Sequence, residues 1–263
     1  MRAREVSARS FFLDDGEQLG TCYSLRMVRA SQRSGHAVFA VVFFAFAIAV
    51  CVLVTLAPGS IPYRVTKVIP LLMLCAARLR DRKGRFELLV GFGFLASLVG
   101  DAVIDGIFIG GLVAFLVAHL FYLGAMGLPE RSMGTAFAKL PALVFGGVIW
   151  WILVGSGRAP EPLRGPITAY AIVISTMLGR SIGRAFVGPK DLASRIFFLG
   201  AVLFVLSDTL IGVNRWVYPI HFGRVWILAT YYTGQFLIFW GTSMAPSIEP
   251  VAGDDVVPNA TSS

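Results

Sequence analysis

LVGDAVID, residues 98–105, places two carboxylates, Asp101 and Asp105, at the end of a run that is otherwise almost wholly apolar. A carboxylate in hydrocarbon costs several kcal/mol unless it is paired, hydrogen-bonded or neutral. The run that contains it, 86–106, has the roughly 20 residues a helix needs to cross a bilayer. Seven further runs of this kind lie near 37–57, 61–78, 107–127, 137–156, 165–187, 192–213 and 222–245. The second is interrupted by Arg64, Lys67 and Pro70, and the sixth ends in Arg180 and Arg184.

Composition agrees. Of 263 residues, 56% are hydrophobic and only 14% charged, where soluble domains carry about 25% charged residues. Mean hydropathy is +0.75. The expected fold class is an all-α polytopic membrane bundle of eight transmembrane helices. The net charge of +8 would suit nucleic acid, but the basic residues lie between the apolar runs and are read as topology signals. The expected partners are the lipid bilayer and a lipid substrate, with no nucleic acid; oligomeric state is unknown. Cys22, Cys51 and Cys75 show no metal spacing, and the last two lie in apolar runs, so structural disulfides are not expected.

Residues 1–35 form a basic tail with six arginines, expected to be disordered, and 247–263 a second disordered tail; 36–246 is the eight-helix domain. The first apolar run starts too late for a signal peptide, and Met27 is an alternative start. Lys and Arg fall mainly on one side: the N-terminal tail, RLRDRKGR (78–85), Arg131, Lys139, Arg180, Arg184, Lys190 and Arg195. Arg158, Arg164, Arg215 and Arg224 fall on the other. The positive-inside rule then puts both termini in the cytoplasm, and in a bacterium the chain in the cytoplasmic membrane.

At 1.5 Å per residue, Asp101, Asp208 and Lys67 come out roughly 6–9 Å below the outer boundary. Three ionisable residues from three helices thus share one level. Tyr231 and His119 come out deeper, at roughly 14 and 18 Å. Asp105 lies one turn after Asp101 on the same face, at the rim. GFLASLVGDAVID (93–105) and GAVLFVLSDTLIG (200–212) share Gly eight residues before Asp and Ile three after. This suggests a parallel four-helix repeat, spans 1–4 and 5–8, which would set Asp101 and Asp208 face to face.

Two carboxylates close together in low dielectric cannot both stay ionised, so one keeps its proton and can act as a general acid. Asp101 and Asp208 are the candidate catalytic residues. The blander alternative is an ion pair in which Lys67 holds one of them. Lys67 and Arg215 are candidate phosphate ligands, and Lys67 is expected within direct or one-water reach of Asp101 or Asp208. Asp105, His119, Asn214, Tyr231 and Gln235 complete the candidate substrate-binding set; Asn214 also suits a helix end, His119 a hydrogen-bonded packing residue, and Tyr231 and Gln235 interhelical hydrogen bonds. Tyr170, Ser175 and Ser207 are weak signals. SGH (34–36) lacks the other parts of a membrane phosphatase motif.

TKVIPLLML (66–74), LASLVGD (95–101), GGLVAFLVAHLFY (110–122), GAVLFVLSDTLIGVNRW (200–216) and ATYYTGQFLI (229–238) resemble the motifs of the lysoplasmalogenase family of YhhN-like eight-span membrane proteins. The similarity covers roughly 37–245, with Val68 where proline is usual. The resemblance implies cleavage of the vinyl ether bond of lysoplasmalogens to a fatty aldehyde and a glycerophospho-alcohol. The family's span-2 lysine and two aspartates match Lys67, Asp101 and Asp208. Protonation of the vinyl β carbon gives an oxocarbenium ion, as in glycosidases, and needs two carboxyls but no metal or cofactor.

A proton-coupled transporter or channel is the alternative, since buried Asp, Lys and His also form proton relays. An intramembrane aspartyl protease would need Gly where Leu98 stands and Tyr where Ser207 stands. A zinc amidohydrolase would need clustered histidines, whereas His36, His119 and His221 are scattered in depth.

Overall fold

A computed structural model describes residues 35–80, 84–127, 133–186 and 192–244. The two expected tails lie outside these residues but for Gly35. The described residues form eight helices and no strand. They are α1 (Gly35–Leu56), α2 (Ile61–Arg80), α3 (Arg85–Val103), α4 (Phe108–Ala125), α5 (Met133–Trp150, running on into a π-helical turn Trp151–Gly155), α6 (Glu161–Phe186), α7 (Leu192–Trp216) and α8 (Gly223–Met244). The expected runs match them to within a few residues.

The chain divides into two compact units, one ending at Phe46 and one beginning at Ala47. The first contributes only the opening half of α1 to the described residues. The second holds the rest of α1 and all of α2–α8.

Local chemistry sets the helix ends. At the start of α2, Ser60 Oγ accepts from the Tyr63 amide at 3.3 Å, and Pro62 occupies the first turn, where its missing N–H is no loss. α6 opens likewise, with Pro160 and Pro162 flanking Glu161. Gly157, at φ +75°, reverses the chain between the π-helical turn and α6. Arg180 and Arg184 of α6 donate to the carbonyls of Leu123 (2.9 Å) and Met126 (3.3 Å), capping the end of α4.

Among the described residues four helices, α1, α3, α4 and α7, are long and apolar enough to cross a membrane. Of the other described helices, α2, α6 and α8 are more polar. α2 and α6 carry several charges, and the middle of α8 reads TYYTGQ, while Lys139–Gly155 of α5 is apolar but shorter. Large apolar side chains on the helix surfaces stay exposed, among them Leu72, Leu95, Val113, Leu143, Ile172 and Leu199. A contiguous apolar exterior is what a lipid-facing surface requires.

In the second unit α3 packs on α4 and α7 on α8 most extensively, with further contacts of α2 to α3 and α8, and of α6 to α4, α5 and α7. Glycines zip both main pairs. Gly93 faces the Tyr122 ring, Gly100 that of Phe115, and Gly111 faces Ile104, so each step along α3 meets an equal step back along α4. Gly200 faces Ile238, Gly234 faces Phe204 and Gly241 faces Phe197, in one register along α7 and α8. Close approach at small residues is the usual way helices associate in lipid. The two glycines that mark the repeat, Gly93 and Gly200, thus do the same job in their respective pairs.

At one end of this unit α2, α4 and α8 begin while α3 and α7 end, which gathers Lys67, Asp105, Arg215 and Arg224 together.

A Cβ on Gly200 would come within 2.7 Å of the Ile238 amide nitrogen, which cannot yield. Gly200→Val is expected to lower stability by about 1–3 kcal/mol or more through overpacking. Gly147→Ala, with nothing within 4 Å on α5, should be neutral or stabilising by up to about 1 kcal/mol. Thermal melting in detergent checks both. Equal effects would contradict the zipped pairing.

Candidate functional site

A cavity of about 390 Å³ opens where these helix ends meet. Asp101 and Asp208 form its deep wall, Lys67 and Asp105 its middle, and Asn214, Arg215 and Arg224 lie near its mouth. Ile104, Phe108, Phe115, Ile211, Ile227 and Leu228 supply the apolar surface between them.

The two catalytic candidates open on the same space, but each is held by its own tyrosine. Tyr231 of α8 donates to Asp101 Oδ2 at 2.8 Å. Tyr170 of α6 donates to Asp208 Oδ2 at 2.8 Å. The same Asp208 oxygen lies 3.2 Å from His119 Nε2. His119 Nδ1 donates to the Phe115 carbonyl, one turn back on its own helix, at 2.8 Å. The imidazole stacks on Phe204 at a centroid distance of 4.3 Å. Phe204 and Phe115 both touch the Tyr231 ring at 5.6 Å, so an aromatic partition stands between the two carboxyls' supports.

Lys67 Nζ donates to Asp105 Oδ2 at 2.8 Å. Lys67 also shares the cavity with Asp101 and Asp208, the carboxyls it is expected to reach directly or through one water. Asp105 lies four residues after Asp101, in the turn that follows α3, nearer the start of α2. Tyr63, one turn before Lys67, puts its ring 5.7 Å from the ammonium. The Arg215 guanidinium lies over the Phe108 ring at 4.0 Å.

Asn214 Oδ1 accepts from the Ile220 amide at 2.8 Å and shapes the turn into α8. Gln235 does not reach the cavity wall. It accepts from Tyr122 Oη at 2.7 Å and donates to Ser97 Oγ at 3.0 Å, joining α3, α4 and α8 beneath Asp101. His119 is also set back, behind Asp208 and fully buried. Tyr232 Oη donates to the Lys67 carbonyl at 2.8 Å and ties α8 to α2.

Of the proposed site residues, seven line the cavity and His119 and Gln235 stand behind it. Tyr63, Phe115 and Arg224 line it without having been singled out. Tyr63 lies four residues before Lys67 and Arg224 seven before Tyr231, so helical spacing places both on the relevant face. Among the described residues no group of three or more His, Cys, Asp or Glu is arranged to hold a metal ion. Cys51 and Cys75 are free thiols.

The sequence model of the YhhN family matches residues 62–242, and the chain belongs to that family. A protein named lysoplasmalogenase TMEM86B from Sus scrofa is 34% identical over 188 residues, which cover 70% of this chain and 76% of that protein. Lysoplasmalogenase TMEM86A from Homo sapiens is 30% identical over 172 residues, 60% of this chain and 66% of that one. A lysoplasmalogenase from Mycobacterium bovis is 27% identical over 155 residues, 55% and 56% of the two chains. No solved structure matches. The family match and the four apolar helices make the chain an integral membrane protein.

The Lys67–Asp105 pair is lopsided: the lysine side chain is 5% exposed and the aspartate 37%. Removing the aspartate strands a buried ammonium, which costs about 3–5 kcal/mol. Removing the lysine leaves a carboxylate that water can reach, at about 1 kcal/mol or less. Thermal unfolding should therefore show Asp105→Ala well below Lys67→Met. Equal losses would contradict this geometry.

Proposed function

We propose that the protein is a membrane hydrolase that cleaves the vinyl ether bond of lysoplasmalogens by carboxylate general acid catalysis. The observation that carries the proposal is the convergence of Asp101 and Asp208 on one cavity whose mouth bears two arginines. A lysophospholipid has matching chemistry: an anionic phosphate, a short polar glycerol and a long apolar chain. Arg215 and Arg224 suit the phosphate, and the two carboxyls suit the enol ether next to the glycerol. The names of the relatives support the same substrate class.

In this reading one carboxylic acid gives its proton to the vinyl β carbon. The C=C electron pair forms the new C–H bond, and an ether-oxygen lone pair closes the oxocarbenium ion. Water adds to the α carbon and passes a proton to the second carboxylate. The hemiacetal then collapses. The second carboxyl protonates the departing glycerol oxygen, and the first takes the hydroxyl proton. Aldehyde and glycerophospho-alcohol leave, one water is consumed, and both carboxyls return to their starting states.

The eight helices are taken as eight spans with both termini cytoplasmic, which puts the cavity mouth on the outer side. No cofactor takes part in the scheme.

Asp101→Asn and Asp208→Asn should each lower aldehyde release by at least about 10²–10⁴-fold, because an amide keeps the shape and cannot deliver a proton. The double variant should be little worse than either single one, since the two act as a unit. An ester lysophospholipid is the control substrate. Release of no aldehyde by the wild type, with either change abolishing a proton-coupled flux in liposomes, would favour a transporter instead. Cysteines placed at positions 83 and 218 should label from opposite sides of the membrane; labelling from one side would overturn the topology.

A further inference from the structure

We infer that Asp208 is the proton donor of the pair and that His119 is its positioning residue, holding the donor proton inside the bundle until substrate arrives. The inference rests on the hydrolase reading above and deepens it.

Hydrogen-bond chemistry at His119 carries the first part. A carbonyl only accepts, so the 2.8 Å contact with Phe115 fixes the proton of the neutral imidazole on Nδ1. Nε2 then presents a bare lone pair. It is fully buried, has no aligned hydrogen-bond partner, and has Asp208 Oδ2 at 3.2 Å. Two lone pairs facing each other at that distance repel. One proton between them turns the contact into a hydrogen bond. Burying a neutral acid beside a neutral imidazole also avoids desolvating two charges, which costs several kcal/mol per ion.

The other charged and titratable groups around the pair do not supply that proton. Tyr170 from α6 donates its own hydroxyl hydrogen to the same oxygen. Asp101 from α3 is served by Tyr231 from α8. Lys67 from α2 is engaged by Asp105. Arg215 of α7 and Arg224 of α8 lie toward the mouth of the shared cavity.

The position of Asp208 carries the second part. Besides the polar cavity it lines a small apolar pocket of about 40 Å³, walled by Leu112, Leu153, Ile167 and Trp216. Asp101 lines only the polar cavity of the two. In a vinyl ether the β carbon bears the alkyl chain and the α carbon bears the oxygen. The pocket has room for only the first carbons of the chain, and those carbons entering it set the β carbon beside Asp208. The glycerol oxygen then lies toward Asp101, which receives the proton of the attacking water.

Aspartate χ2 is a broad torsion, so the Asp208 hydroxyl swings from Nε2 into the cavity without backbone motion. Once the proton has gone to the β carbon, Asp208 is a carboxylate that Tyr170 Oη still serves. Hemiacetal collapse returns a proton to it, and the hydrogen bond to Nε2 re-forms.

The test combines infrared spectroscopy with kinetics on the full-length protein in detergent. The carbonyl stretch of a protonated carboxyl should vanish in Asp208→Asn, persist in Asp101→Asn, and shift in His119→Phe. His119→Phe keeps a ring for stacking on Phe204, so the fold has a control built in. Its kcat should fall about 10²-fold with KM nearly unchanged, and its alkaline limb should move. His119→Gln, which can still bond to Asp208, should recover part of both. Loss of the band in Asp101→Asn instead would make Asp101 the donor and overturn the assignment. An unchanged band and pH profile in His119→Phe would reduce His119 to packing and overturn its role. The spectra need no turnover. A wild type that releases no aldehyde yet shows these band changes would therefore sink the hydrolase reading while leaving the proton where it is placed here.

Discussion

Carboxyl groups cannot be left unpartnered inside a helical bundle, and that constraint organises the interior of this one. Hydrocarbon offers no water to solvate them, so partners must come from neighbouring helices. Asp101 on α3 takes its hydrogen bond from α8, and Asp208 on α7 takes its from α6 while facing α4. Lys67 on α2 meets Asp105 in the turn after α3. Each polar contact is therefore also a tie between helices, and those of Asp101 to Tyr231 and of Asp208 to His119 join helices that are not consecutive in the chain. The apolar faces alone would not fix these pairings, because lipid tails are as good a partner as leucine.

The same ties leave reactive groups where a substrate can reach them. Tyr170 and Tyr231 occupy one side of each carboxyl and leave the remainder to the cavity. Glycine contacts along α3–α4 and α7–α8 bring backbones close beneath it and let rings such as Phe115 reach between helices. The result grades from acids in the depth, through an ion pair, to arginines at the mouth, with an apolar recess beside Asp208. An amphiphile with one anionic group and one chain has that same grading.

Much of this was legible in the sequence, because period, length and charge are read residue by residue. The eight runs, the two GxxxxxxxD segments and the polar centres of α4 and α8 placed the helices and seven cavity residues. Three helices proved too polar to pass as spans on composition alone, since α2 and α6 carry arginines that cap or pair, and α8 is rich in tyrosine and threonine. Side-chain pairing was the less legible part. Depth along each helix put Lys67 level with Asp101 and Asp208, but the choice of Asp105 depends on how α2 is rotated against α3. Depth likewise put His119 too far in to touch Asp208. The ring reaches it because α4 lies against α6 and close to α7, a relation that no single helix records. Tyr170 carried only a weak signal for the same reason: nothing in α6 itself says that it faces Asp208.

Hydrolysis in deuterium oxide tests the central claim most directly. If a buried carboxyl protonates the vinyl β carbon, purified protein acting on a lysoplasmalogen must release aldehyde carrying one deuterium on the carbon next to the carbonyl. Unlabelled aldehyde incubated alongside for the same time corrects for exchange. One deuterium per aldehyde, lost along with turnover in Asp208→Asn, is the predicted result. Aldehyde released without deuterium at that carbon would contradict the account.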